Sequence, residues 1–316
     1  RSGDVTVAGQ TAPGGGIATK NFPIIISADN VIIRYIRSRM GDELGAENDA
    51  IDVRSGTNII IDHVSASWSN DETLSVTQRY VPGGEVPHLT NVTVQWSIIS
   101  ESMNHAGHEK GDHGYGSLIQ GSYGARYSFH HNLWAHHQAR MPRIGNYAAA
   151  TEDNQGAFYD FRNNVFYNWG DGATTDFYNW QPGLDRGYNM DPFYGRPDNQ
   201  SRCAAGANLN SNSITQANFV NNAYITGANT CAPITLYLRN RGSQVHMSGN
   251  SMNGQVMADQ NGSVISSMGD GWIRDQAFDW AGVTTTPAAE ALEAVLANAG
   301  ASHWRDPVDA RVVQTV

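Results

Sequence analysis

Cysteine is scarce. Cys203 and Cys231 are the only two in 316 residues, too few for a cysteine-bound metal cluster. Bridged, they would stabilise the chain by about 3–4 kcal/mol through loop entropy and point to an oxidising compartment. Unbridged, they are two buried thiols. No run of about 18 apolar residues occurs, which leaves no candidate membrane-spanning helix. Charged side chains make up only 16% of the chain, and 30 acidic against 20 basic residues give a formal net charge of −10. That balance argues against a nucleic-acid partner. It is compatible with a polyanion if one groove is locally basic. The chain has no initiator methionine or signal peptide and opens inside a repeat, so a processed or cropped chain is expected.

Also missing is any amphipathic 3.6-residue pattern between the apolar segments, so helical crossovers are not expected. What is present instead is a recurring strand-like phrase. It reads "NVIIRYIRS", "NIIIDHVSAS", "NVTVQWSII", "YSFHHNLWA", "YDFRNNVFY", "NFVNNAYIT" and "VHMSGNSMN" in turn. Aligned on the apolar residue before the polar triplet, the phrases place Ile33, Ile61, Val94, Phe129, Phe161, Phe219 and Met247 in one register. The steps are 28, 33, 35, 32, 58 and 28 residues, and the long step is expected to hide one degenerate repeat. Shorter apolar pieces, "AIDV", "TLSV", "SLIQ" and "ITLY", supply further strands.

Several short strands per repeat, with no helix between, predict an all-β fold. The expected form is a right-handed parallel β-helix, a solenoid in which each coil stacks on the last, as a single domain over residues 1–316. Asn132, Asn164, Asn222 and Asn250 share one register and predict a ladder of amides bonded from coil to coil. The tail "TPAAEALEAVLANAGA" predicts a C-terminal helix over 286–300, with Thr286 as N-cap and Pro287 at N1. Laid on the β-helix, it is expected to cover the strand edge of the last coil.

Six stretches stand in one order: "VTVAGQTAPGGGI", "DAIDV", "IDHVSASWSNDETLSV", "VQWSIISE", "GYGSLIQG" and "FHHNLWAHHQARMPRIGN". Together they resemble the pectate lyases of polysaccharide lyase family 1, from about residue 5 to residue 169, and the closing "AGASHWRDPVDARV" resembles bacterial members. The resemblance implies a parallel β-helix that cleaves polygalacturonate by calcium-dependent β-elimination. The expected partner is then an acidic polysaccharide, pectin or polygalacturonate, and the expected setting is secreted and monomeric.

β-Elimination must remove a weakly acidic C5 proton beside a carboxylate, and a hard cation can neutralise the charge that develops there. Glu47 and Asp49 lie two apart before "AIDV", so an extended backbone puts both on one face. Asp71 holds the equivalent place one repeat later. The resemblance assigns Glu47, Asp49 and Asp71 to calcium, with Ser75 where many members carry a further aspartate. Asp42, Glu43, Asp52 and Glu72 read as turn caps. Because calcium takes about 6–8 oxygens, substrate and water would complete its shell.

The resemblance also makes Arg140 the residue that removes the C5 proton and Arg143 a holder of the substrate carboxylate. Since guanidinium is ordinarily protonated, Arg140 acts either as a base destabilised by neighbouring cations or as a cation stabilising the transition state. A third basic position falls to Lys110 or His113. His137 and Gln138, with His136, are candidates to line the sugar groove, whereas His130 and His131 read as structural. His105, His108 and His113 suggest zinc, but no fourth ligand is apparent. A hydrolase on this fold would need paired carboxylic acids, a pectin lyase would not need the acidic pocket, and a non-catalytic adhesin would need neither.

Overall fold

The structure, a computed structural model, describes residues 3–78, 88–109, 111, 113–146, 148, 150–170, 188–190, 213–230, 233–238, 242–266, 270–280 and 282–316. Cys203 and Cys231 lie outside the described residues, as does Lys110.

Runs of β-branched and aromatic residues closed by Asn, Asp or Gly are too short and too uniformly apolar for helices, and they form strands of two to seven residues. One longer strand, Ile51–Asp62, runs through two faces and joins them. The strands sort into three sheets wound as a parallel β-helix. The first sheet contains Val31–Arg34, Leu89–Gln95, Ala125–His130, Ala157–Arg162, Thr215–Val220 and Ser243–Ser248. Ile33, Ile61, Val94, Phe129, Phe161, Phe219 and Met247 stand above one another as the repeat predicts. Val7 extends the column below Ile33. Inside the coil the rings of Phe129, Phe161 and Phe219 stack 4.9 and 4.8 Å apart, which is the strand spacing itself.

The 58-residue step hides no coil. Phe161 pairs directly with Phe219, and Val165 directly with Ala223, so the two coils are neighbours on both faces. The extra length instead contributes Tyr188–Met190 to the third sheet, antiparallel to its neighbours Arg143–Gly145 and Leu236–Leu238. A stacked coil would have needed a parallel strand on every face.

Between the first sheet and the second, which contains Ile36–Arg39, Ser65–Ser67, Ile98–Ser100, Leu133–Ala135, Val165–Tyr167 and Ala223–Ile225, each coil turns on one residue with positive φ: Tyr35, His63, Trp96, His131, Asn163, Asn221 and Gly249. Gly takes that conformation readily and Asn and His are enriched there, whereas Tyr and Trp are uncommon. Ring stacking offsets the cost, with centroids 4.7 Å apart for Tyr35 and His63 and 4.3 Å for Trp96 and His131. His131 is thus a turn residue rather than a strand partner of His130.

The next position carries the asparagine ladder. Asn132 donates to Asn164 Oδ1 at 3.1 Å, Asn164 to Asn222 at 3.1 Å and Asn222 to Asn250 at 3.0 Å. Each amide also donates to a carbonyl of the preceding coil, as Asn164 does to Phe129 at 2.9 Å. Gln260 closes the ladder at Asn250.

Two C-terminal helices, α1 (Ala288–Asn298) and α2 (Pro307–Thr315), lie on the outer face of the second sheet. α1 starts one residue later than expected. Pro287 is its N-cap, and the Thr286 backbone is instead bonded to the Asn163 side chain at 2.9 and 2.7 Å. Val295 and Val312 pack on Ile98, Leu133 and Val165. The helices therefore cover a sheet face, not the last coil's edge. That edge is met on this sheet by the antiparallel strand Gln255–Val256. Buried Asp309 anchors α2 through Arg39 at 2.7 Å and the Ser65 hydroxyl at 2.5 Å. His136 contributes a bond to Thr315 at 2.8 Å. Among the described residues no helix is long and apolar enough to cross a membrane.

Asn164→Ala removes a fully buried amide that serves both neighbouring coils. Each buried group left unpaired costs about 1–3 kcal/mol, so the variant should lose about 2–5 kcal/mol in urea unfolding. A loss below about 0.5 kcal/mol would refute a structural ladder.

Candidate active site

The third sheet builds the site. Its strands alternate, with Ile51, Val53, Leu74, Val76, Ile119 and Ile144 turned into the core. Asp52, Ser75, Leu118 and Arg143 take the alternate positions and share one register. The residues just ahead of these strands also stack. Glu72 pairs with Tyr115, and Tyr115 with Ala139, in parallel register. Backbone bonds from Gly116 to Ala139 at 3.1 Å and from Ser117 to the Arg140 carbonyl at 2.7 Å complete the ledge.

Arg140 has φ +55°, an uncommon conformation for a residue with a side chain. A Cβ on Gly116 would come within 2.5 Å of the Arg140 carbonyl and 3.1 Å of the His137 ring. Only glycine lets the two coils meet there. The Arg140 guanidinium forms an ion pair with Glu72 and lies 4.0 Å from the centroid of the Tyr115 ring. It is 8% exposed.

Carboxylate oxygens of Asp49, Asp71 and Glu72 lie within 4.8 Å of one another. Burial, then the charges of Asp71 and Asp52, pushes the Asp49 carboxyl well above the usual range, while a hydrogen bond from Ser75 opposes the shift. Burial would raise Asp71 too. Hydrogen bonds from His108 and His113 and the charge of Arg140 outweigh it and hold Asp71 well below the usual range. Three crowded carboxylates and a hydroxyl are hard oxygen donors with surplus negative charge, a set that fits a divalent cation of the calcium class.

Several expected residues fall elsewhere. Glu47 is outside the carboxylate group: its Oε2 lies 3.5 Å from His108 Nε2, and its Oε1 accepts the Glu109 backbone N–H. Glu72, read as a turn cap, is in the site and only 4% exposed. Its adjacency to Asp71 was the one sequence signal; its partner Arg140 is reached only through coil stacking. Arg143 is fully buried, so the expected contact with a substrate carboxylate is not open to it here.

His137 does not line a groove either. It is 1% exposed, with Nε2 3.0 Å from the Ile99 carbonyl and Nδ1 2.8 Å from the Ser102 hydroxyl. Both ring nitrogens serve the preceding coil. Gln138 is buried beside it, its backbone bonded to Gly114 at 3.0 Å. His113 does reach the site, with Nε2 3.2 Å from Asp71.

No protein-family model matches the chain. A probable pectate lyase C from Neosartorya fischeri is 31% identical over 99% of the chain and 61% of its own length. One from Aspergillus flavus is 31% identical over 100% of the chain and 62% of its own length. The chain is a homologue of the pectate lyases. It spans about three fifths of the length of these curated relatives. In fold it matches a pectate lyase studied for its substrate specificity and anti-β-elimination mechanism, with a TM-score of 0.55 and 16% identity over 96% of this chain and 68% of that one. It also matches pectate lyase C from Erwinia chrysanthemi determined with calcium, with a TM-score of 0.51 and 16% identity over 95% of this chain and 72% of that one.

The pectate lyase homologue should be acid-labile. Burial pulls the His137 pKa down from 6.5 to about 3, and burial draws His130 and His131 to about 4. Below 6.5 the unfolded chain takes up protons that the folded chain refuses. The stability is therefore complete above about pH 6.5 and is lost as pH falls towards 4. His137 alone accounts for about 1.4 kcal/mol per pH unit. Urea midpoints measured from pH 7 to pH 5 should fall, and His137→Gln should flatten the slope. An unchanged slope in that variant would remove His137 from this account.

Proposed function

We propose that the chain is a calcium-dependent pectate lyase, acting outside the cell on α-1,4-linked polygalacturonate and releasing 4,5-unsaturated oligogalacturonides. The observation that carries this reading is Arg140, set on the same ledge as the Asp49, Asp71 and Glu72 carboxylates and bonded to one of them.

In β-elimination the C5–H bond breaks, its electrons form the C4–C5 double bond, and the C4–O4 bond breaks with O4 leaving on the next sugar. Arg140 faces this reaction in one of two capacities: unprotonated, it takes the C5 proton, or it stays charged and stabilises the developing carbanion while hydroxide from solvent takes the proton. Its pairing with Glu72 supports the charged role, because a substrate carboxylate can replace Glu72 as the acceptor of a planar fork. His113, buried against Asp71, acts on the carboxylate group rather than on substrate. Arg143, being buried, contributes positive potential behind Arg140 rather than contact. Calcium, when bound, would be held by Asp49, Asp71 and Glu72 with Ser75, and would neutralise charge on the uronate carboxylate.

One feature favours hydrolysis. Asp49 is shifted up and Asp71 down, the split expected of a carboxyl acid and its carboxylate partner. Their oxygens, however, lie within 4.8 Å, closer than the separations of about 5–5.5 Å and about 6.5–9.5 Å that retaining and inverting glycosidases use.

Incubated with polygalacturonate and calcium, the protein should generate an ultraviolet-absorbing unsaturated uronide, and excess chelator should abolish it. Saturated products carrying only new reducing ends would establish a hydrolase instead. Arg140→Lys should fold normally yet lose about 10²–10⁴-fold in turnover, because a lysine point charge cannot reproduce the guanidinium fork. Turnover equal to the parent would take Arg140 out of the reaction.

Ser75 hydrogen-bonds Asp49, so Ser75→Asp adds a carboxylate to the oxygen set. Calorimetry should show tighter calcium binding by the free protein. Unchanged affinity would mean that the ion sits elsewhere.

A further inference from the structure

Asp71 faces two sets of donors. On one side are the oxygens of Asp49 and Glu72. On the other are two imidazoles, and the atoms of Asp71, His108 and His113 also lie within 4.8 Å of one another. We propose that His108, His113 and Asp71, with Glu47 as fourth donor, form a separate site for a divalent transition ion of the zinc class.

The distances suit such an ion. Ligands at about 2.0–2.1 Å in a tetrahedral shell stand about 3.3 Å from one another. His113 Nε2 is 3.2 Å from Asp71 Oδ1, His108 Nε2 is 3.5 Å from Glu47 Oε2, and His108 Nε2 is 3.9 Å from Asp71 Oδ2. Both imidazoles turn Nε2 towards Asp71, His113 to Oδ1 and His108 to Oδ2. Their rings stack with centroids 4.0 Å apart at 18°, so one ring must turn for both in-plane lone pairs to meet a shared ion; their side chains are only 1% and 4% exposed. The H-x4-H spacing of His108 and His113 falls within the usual range for zinc ligands. His105 is not in the group, and the third and fourth donors come from the preceding coils, because Asp71 and Glu47 arrive there only through stacking.

The two sets sort ions by donor chemistry. Calcium binds oxygen, whereas imidazole nitrogen selects zinc, nickel or copper. Asp71 is shared between the two sets. The imidazole set also joins two loops. Gly107 N–H donates to Asp42 at 3.2 Å, and Glu109 N–H donates to Glu47. An ion here would fasten the loop carrying His108 and His113 to the loop carrying Glu47, along the rim of the active site.

The test uses the full chain stripped of metal, with zinc titrated against a chromophoric chelator and cobalt(II) read by visible absorption. One zinc equivalent should bind. His108→Gln and His113→Gln should each weaken it by more than about 100-fold, because loss of even an outer partner costs about 10–100-fold. Asp49→Asn should keep zinc affinity to within a few-fold. Zinc binding no tighter than that of the double variant His108→Gln/His113→Gln would overturn the proposal. So would an Asp49→Asn loss equal to that of the histidine variants, which would put the ion among the carboxylates.

Should either histidine variant misfold, the cobalt-loaded parent protein decides. Paramagnetically shifted imidazole N–H proton signals are expected, and their absence would overturn the proposal. The titration needs no polysaccharide. Failure to bind zinc would leave the lyase reading standing, and failure to cleave polygalacturonate would leave the metal site standing.

Discussion

The register between coils is the constraint on which this molecule depends. Parallel strands in a β-helix put each residue over its counterpart one coil away, so a slip of one residue would turn every core side chain outward. The ladder from Asn132 to Asn250 opposes such a slip. Its amides are buried and are satisfied by the neighbouring amides, by a carbonyl of the preceding coil and by a backbone N–H of the preceding coil. Out of phase, several buried polar groups would lose partners at once. The stacked phenylalanines add area and shape to the same register, but they tolerate sliding better than a directional bond does.

The ledge of the candidate site is a consequence of that register. Asp49, Glu72, Tyr115 and Arg140 come from four successive passes of the chain, and no two of the four are near neighbours in sequence. A chain with net charge −10 places Arg140 and two imidazoles against its own carboxylates, so positive and negative groups interleave at one point. Asp71 sits at the centre, ionised because its hydrogen bonds outweigh burial, while Asp49 lacks the same relief and is pushed the other way. A site that holds one carboxyl raised and another ionised carries the donor types of a cation site, oxygens on one side of Asp71 and imidazoles on the other.

Periodicity made much of the fold legible. The apolar column from Ile33 to Met247 and the asparagine ladder could both be read from spacing, because a solenoid repeats its constraints and each repeat checks the last. The 58-residue step was misleading because length alone does not distinguish a degenerate coil from an excursion; only the direct pairing of Phe161 with Phe219 does. The motif around "QARMPR" pointed to Arg140 but not to the depth of Arg143 or His137. Depth depends on what covers a strand, and a strand's own sequence does not record that.

The sequence by itself determined the β-helix, its core register, the ladder and the residue types available for acid, base and metal chemistry. These follow from side-chain period, turn chemistry and repetition, all local along the chain. Only the tertiary structure decided that Glu72 meets Arg140, that Glu47 turns to His108 rather than to Asp49, and that the terminal helices cover a sheet face instead of an edge. Those contacts join residues from different coils, across about 60 to more than 200 positions, and their geometry is set by backbone stacking that no local pattern encodes.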